Sequence, residues 1–190
     1  MRTDFITIVS GLPRSGTSMM MKMLEAGGLP VVADHLRTAD EDNPKGYYEF
    51  ERVKQIENDK AWLPEAQGKV VKMISELLKH LPGDYQYRVV FMRRKIEETL
   101  ASQKQMLVRR GQPADLLSDE KLIELFHKHL DRLFAWFAQQ PNFATLYVEY
   151  ADVVQNAAAQ AERINAFLGN TLNVEKMIGV VDQALYRQRK

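Results

Sequence analysis

A three-layer α/β sandwich around a mainly parallel central sheet is the fold this sequence predicts, and three observations predict it. Five short β-rich runs are spread along the chain, at 5–9, 31–33, 70–74, 89–92 and 145–148. Helical patterns separate most of them, and the first run passes through a glycine loop into an apolar helix. Strands alternating with helices pair in parallel, because each helix supplies the crossover that a parallel neighbour needs. A chain of 190 residues that is 45% hydrophobic has enough apolar side chains for one core, so residues 1–190 are expected to form a single domain.

The run 5–9 leads to a helix starting near Thr17 that carries Met19, Met20, Met21 and Met23. Methionines so crowded cannot share one face, so most are expected to fill the space between helix and sheet, with Met19 or Met20 left to line a cleft. Residues 34–68 break the rhythm. They are highly charged, carry Tyr47, Tyr48, Phe50 and Trp62, and show no strand pattern. A long irregular excursion from a compact α/β core is a natural binding loop, so an acceptor-binding role is expected here. In 119–139, Leu122, Phe126, Leu130, Leu133 and Phe137 recur at spacings of three or four, behind a Ser118 cap and ahead of Pro141. Two more helices are predicted: 156–168, stopped by Gly169, and 174–184, behind Asn173. No internal repeat is present.

Composition removes several function classes. Lys and Arg number 26 against 25 Asp and Glu, a net charge of +1, so neither a nucleic acid nor an anionic membrane is an expected partner and any anion site must be local. The absence of cysteine excludes a disulfide scaffold, a Cys-ligated zinc and a thiol nucleophile. His127 and His129 stand two apart, on different faces of a helix, and no metal site is expected. The N-terminal apolar run is too short for a secretory leader or a membrane span, which points to a soluble cytoplasmic protein.

The chemistry-bearing segment is Ser10-Gly11-Leu12-Pro13-Arg14-Ser15-Gly16-Thr17-Ser18, between the first strand and the first helix. Strand, glycine loop and helix make the P-loop arrangement, which suggests a P-loop nucleoside triphosphate hydrolase-like sheet. Gly11 and Gly16 let the backbone curl so that N–H groups and the helix N-terminus face an anion. Pro13, Arg14, Ser15, Gly16, Thr17 and Ser18 are therefore the candidate anion-binding residues. A nucleotide triphosphatase loop reads G-x-x-x-x-G-K-[ST], and Thr17 stands where its Lys belongs. A small-molecule kinase would suit the fold and the loop but lacks that Lys. The loop's cation is Arg14, whose planar guanidinium can fork onto an anionic group.

LPRSGTS after a first strand resembles the 5′-phosphosulfate loop of sulfotransferases that use 3′-phosphoadenosine 5′-phosphosulfate (PAPS) as donor. RVVFMRRKIEETLASQ is similar to the family's 3′-phosphate segment, a strand ending in Arg with a Ser eight positions on, here Arg94 and Ser102. Lys95-Ile96 replaces the Asp-Pro often found there. LYVEYADVV resembles the family's late strand, which implies adenine packing for Tyr150. The terminal LYRQR resembles a basic segment that closes over the 3′-phosphate, which implies a donor contact for Arg187. Lys72 resembles the Lys aimed at the bridging oxygen, but the His that commonly follows it by two residues is Ile74 here. Other members take their base from a Glu in the loop after the first helix, and Glu49, in a Gly-hinged aromatic setting, matches; His35 is its competitor. The catalytic candidates are thus Arg14, Lys72, Glu49 and His35. The resemblance implies sulfuryl transfer from PAPS, without a required metal, to a hydroxyl or amine on a small molecule, glycan or peptide. A sulfotransferase-like module that binds nucleotide without turnover is the non-enzymatic alternative.

Overall fold

The structure, a computed structural model, describes residues 4–34 and 48–181. Strand β1 (Phe5–Gly11) is followed by helix α1 (Thr17–Ala26) and the short strand β2 (Val31–Val32). A 3₁₀ turn (Glu51–Gln55) and the short helix α2 (Leu63–Ala66) lead to β3 (Val70–Lys72), a second 3₁₀ turn (Ser75–His80) and β4 (Gln86–Arg93). Helices α3 (Ile96–Arg109) and α4 (Asp119–Phe137), strand β5 (Phe143–Glu149) and helices α5 (Tyr150–Gln155), α6 (Ala157–Leu168) and α7 (Val174–Ile178) complete the described chain.

The sheet has the order β2-β3-β1-β4-β5, and every pairing in it is parallel. The predicted α/β sandwich is therefore the observed one. β1 lies at its centre, where a strand covered on both faces reads as a continuous apolar run rather than an alternating one. Ile6, Ile8 and Val9 are fully buried accordingly. The chain steps from β1 to one edge of the sheet and back, then crosses β1 to continue on the other side. Strand order thus reverses at β1, and the crevice beyond the carboxyl ends of such strands is where open α/β sheets take ligands.

Each face of the sheet is covered. On one, Met20, Met21, Met23 and Leu24 of α1 join Val153, Ile164 and Met177 of the C-terminal helices against Val9, Val90 and Val148. On the other, Leu133 and Phe137 of α4 pack with Val53, Ile56, Trp62 and Leu63 against Ile8, Val71 and Phe91. A smaller apolar contact between Leu12, Ile96 and Leu100 holds α3 to the start of the loop, with Leu122 and Phe126 of α4 packed against it. Met20, Met21 and Met23 are core, and Met19 is partly buried against the same cluster.

Ser118 caps α4 through its side chain, which accepts from the Lys121 N–H. Asn156 and Asn173 cap α6 and α7 in the same way, and Gly169 ends α6 in the left-handed conformation at φ 102°. Helix α7 stops at Ile178, short of the predicted 184, with Gly179 at its C-cap, a residue that resists continuing a helix; residues 182–184 lie outside the described residues. β4 and β5 begin before their most apolar residues, since ladder pairing with a neighbour extends a strand beyond its buried part. Residues 48–68 hold no strand, and their second half is built into the core by Trp62, which meets Phe50 edge to face at 5.5 Å. Among the described residues no helix is long and apolar enough to cross a membrane.

Candidate active site

The loop after β1 is shaped by close approach. Gly11 lies opposite Met92 in the ladder, and a Cβ there would come within 2.6 Å of the Met92 carbonyl oxygen. Gly16 has φ 102°, and a Cβ there would strike the Tyr150 ring. Both positions need glycine, for space at the first and for space and conformation at the second. The Ser15 amide donates to the Leu12 carbonyl at 3.1 Å, closing the turn. α1 then starts at Thr17 with Gly16 at its N-cap, which offers no side chain to cap the first turn. The N–H groups of a helix's first turn lack intrahelical acceptors and carry the positive end of its dipole, which makes a site for an anion. Among the described residues, the Ser10 and Ser15 hydroxyls are buried with no hydrogen-bond partner. A backbone cradle and an uncapped helix start fit an anionic group such as a phosphate or a sulfate.

Two further elements close on this loop. Arg14 sits in left-handed backbone at φ 70°, uncommon for a residue with a side chain and a form of strain that collects at functional sites. Its Nε donates to Ser102 Oγ on α3 at 3.1 Å. Arg94, just beyond the end of β4, donates from Nη1 to the Arg14 carbonyl oxygen at 3.3 Å. Its guanidinium lies 4.7 Å from the centre of the Tyr150 ring. The two segments linked in sequence by a shared resemblance thus meet in one hydrogen-bonded unit. Tyr150, only 6% exposed, is wedged between Gly16 and Arg94 at the start of α5. Arg93 is turned the other way and pairs with Glu149 at 3.1 Å.

The other pair of candidates also meets. Lys72 is the last residue of β3 and lies opposite Val9 of β1, beside the strand that enters the loop. Its Nζ is 4.0 Å from Glu49 Oε1, with the side chains 15% and 27% exposed. The Glu49 carbonyl accepts from the Asp34 amide at 3.0 Å, which ties the returning chain to the end of β2. His35 and Arg187 lie outside the described residues. A cleft of about 400 Å³ opens next to the loop, lined by Leu12, Ser15, Phe91, Arg94, His127 and Phe134 among others.

Two arrangements carry no clear sequence signal. Glu98 pairs with Arg94 at 3.0 Å, and the only hint is an acid four positions on in a helix. The His129 ring nitrogen Nε2 lies 2.8 Å from Ser75 Oγ, joining α4 to the turn just past Lys72. Burial holds the His129 imidazole below the usual histidine range.

A parallel sheet with a glycine loop between β1 and α1 at its order reversal defines a P-loop-like α/β architecture. The chain belongs to the sulfotransferase family, whose sequence model matches residues 32–173. Its fold is similar to that of the sulfotransferase domain from the Synechococcus PCC 7002 olefin synthase, with a TM-score of 0.60 at 16% identity over 100% of this chain and 89% of that one. STF1 from Mycobacterium tuberculosis H37Rv is similar at a TM-score of 0.57 and 16% identity, over 97% and 76% of the two chains. The sulfotransferase domain from the curacin biosynthetic pathway is similar at 0.54 and 13%, over 96% and 79%. At these identities the likeness is one of fold. No curated protein matches the chain.

Proposed function

We propose that this protein transfers a sulfuryl group from PAPS to a hydroxyl or amine acceptor. The observation that carries the proposal is the Arg14–Ser102–Arg94 unit, in which the glycine loop and the strand-end arginine segment are hydrogen-bonded to each other. Residues Pro13 to Ser18 would hold the 5′-phosphosulfate through backbone N–H groups and the α1 dipole. Arg94 and Ser102 would hold the 3′-phosphate by charge and by hydroxyl donation, with Arg187 from the terminal basic segment completing that contact. The adenine packing expected of Tyr150 finds little open ring, since Arg94 and Gly16 cover it and it is 6% exposed, so Tyr150 would support the loop instead. The candidate groups for the anions are arginines, hydroxyls and backbone amides, which would balance the charge without a metal.

Bound there, the donor supplies an electrophilic sulfur and departs as 3′,5′-adenosine bisphosphate. Glu49 accepts the proton from the acceptor hydroxyl as that oxygen bonds to sulfur. Lys72 donates to the oxygen on which negative charge develops as the old sulfur–oxygen bond breaks. The 4.0 Å between Lys72 and Glu49, at the end of β3 and beside the loop, supports giving the pair these two roles. Residues 34–68, which contribute Glu49, would form the acceptor side.

Incubation with PAPS and a panel of aliphatic alcohols, phenols, sugars and tyrosyl peptides tests this. Release of 3′,5′-adenosine bisphosphate that depends on the acceptor is the expected result. Nucleotide binding without acceptor-dependent release across the panel would instead mark a non-catalytic binding module.

A further inference from the structure

Glu98 is the one charged residue in the buried core among the described residues, at 1% exposed. A carboxylate taken out of water needs compensation, and a buried ion pair is a poor device for stability compared with apolar packing. Glu98 receives Arg94 Nε at 3.0 Å, on the preceding turn of chain, where the Arg94 side chain is itself 9% exposed. Arg94 is therefore fixed at three points: Nε on Glu98, Nη1 on the Arg14 carbonyl, and its flat face over Tyr150. Because the guanidinium is a rigid planar fork, these contacts set the plane in which its remaining donors lie.

We propose that Glu98 is a positioning residue, which locks Arg94 in the orientation that recognises the 3′-phosphate of the donor. The proposal rests on the donor assignment made above. Charge and geometry predict opposite signs here. By Coulomb attraction alone, removing a nearby carboxylate should strengthen the binding of a phosphate. If Glu98 acts through the geometry of Arg94, its removal should weaken that binding, and only for ligands that carry the 3′-phosphate.

Calorimetry of the full chain with 3′,5′-adenosine bisphosphate and with adenosine 5′-monophosphate, which lacks the 3′-phosphate, separates the two. Glu98→Ala should weaken the bisphosphate about tenfold and leave the monophosphate within about twofold. Glu98→Gln keeps the volume and an acceptor for Arg94 Nε, and should weaken the bisphosphate by about threefold because a neutral acceptor holds the guanidinium less firmly. It also carries the test should the alanine variant fail to fold. Tighter or unchanged bisphosphate binding in the folded variants, or equal losses for both nucleotides, would overturn the positioning role. A wild-type chain that binds the bisphosphate no better than the monophosphate would overturn the donor assignment first, and the role of Glu98 with it.

Discussion

Glu49 and Lys72 are 23 residues apart in sequence yet 4.0 Å apart at the carboxyl end of β3, and the chemistry proposed for the pair requires Glu49 to take a proton. Glu49→Gln keeps the shape and the hydrogen-bonding capacity of the side chain. Turnover with an aliphatic alcohol should fall about 10²- to 10⁴-fold, while the affinity for 3′,5′-adenosine bisphosphate stays unchanged. His35→Asn is the matched control: loss there, with Glu49→Gln fully active, moves the base to His35. An aliphatic alcohol is the right acceptor because a phenol already partly ionised would hide the need for a base. At this scale, Arg14, Arg94 and Ser102 were legible in sequence because their signals are local, a loop and an offset along one strand and helix. The Glu49–Lys72 contact was only half legible: each residue stood out by its segment, but nothing local places the irregular chain at Glu49 beside the end of β3. Glu98 was not legible, since a lone acid four residues from an arginine usually marks a solvated helix face, and burial of that face follows from α3 closing on the loop.

The segment 48–68 shows where pattern reading stops. Its charge hides the fact that Val53, Ile56, Trp62 and Leu63 converge on α4 and the sheet, because short 3₁₀ and helical turns have no long period to detect. Trp62→Ala should lower the unfolding free energy by about 3–5 kcal/mol, as emptying a large core site does. Urea denaturation checks it, and a loss under about 1 kcal/mol would mean that the segment is a detachable flap whose removal leaves the core intact. α5 was equally hidden, because Tyr150 begins it directly at the end of β5 with no turn signal between them. The link between α4 and the turn after β3 has a pH signature. Burial lowers the His129 pKa from the usual 6.5, against a smaller upward push from Glu76, so the unfolded chain binds this proton more readily than the folded one. This contribution is complete above the unfolded value and is lost as pH falls through it toward the lower folded value. The urea midpoint should therefore drop between about pH 7.5 and about pH 5.5, and drop less in His129→Asn. An identical slope in the variant would remove His129 from the account.

At the scale of the whole molecule, the parallel sheet and its helical layers were readable because a buried central strand, repeated β-runs and capped helices all point to one architecture. The strand order was not, since the step that carries β4 across β1 is a matter of which edges pair, and no residue announces it. That step sets the ends of β3, β1 and β4, which lead to Lys72, the loop and Arg94, side by side, so the donor assignment is a claim about topology as much as about motifs. The most direct measurement is calorimetric titration of the chain with 3′,5′-adenosine bisphosphate in the presence of a chelator, set against ADP with magnesium. With Thr17 in place of a triphosphate-binding lysine and arginines on two sides of the loop, the bisphosphate should bind without metal and more tightly than magnesium ADP. Tighter binding of magnesium ADP, or a bisphosphate that binds only when magnesium is added, would contradict the account and favour a kinase-like use of the same fold.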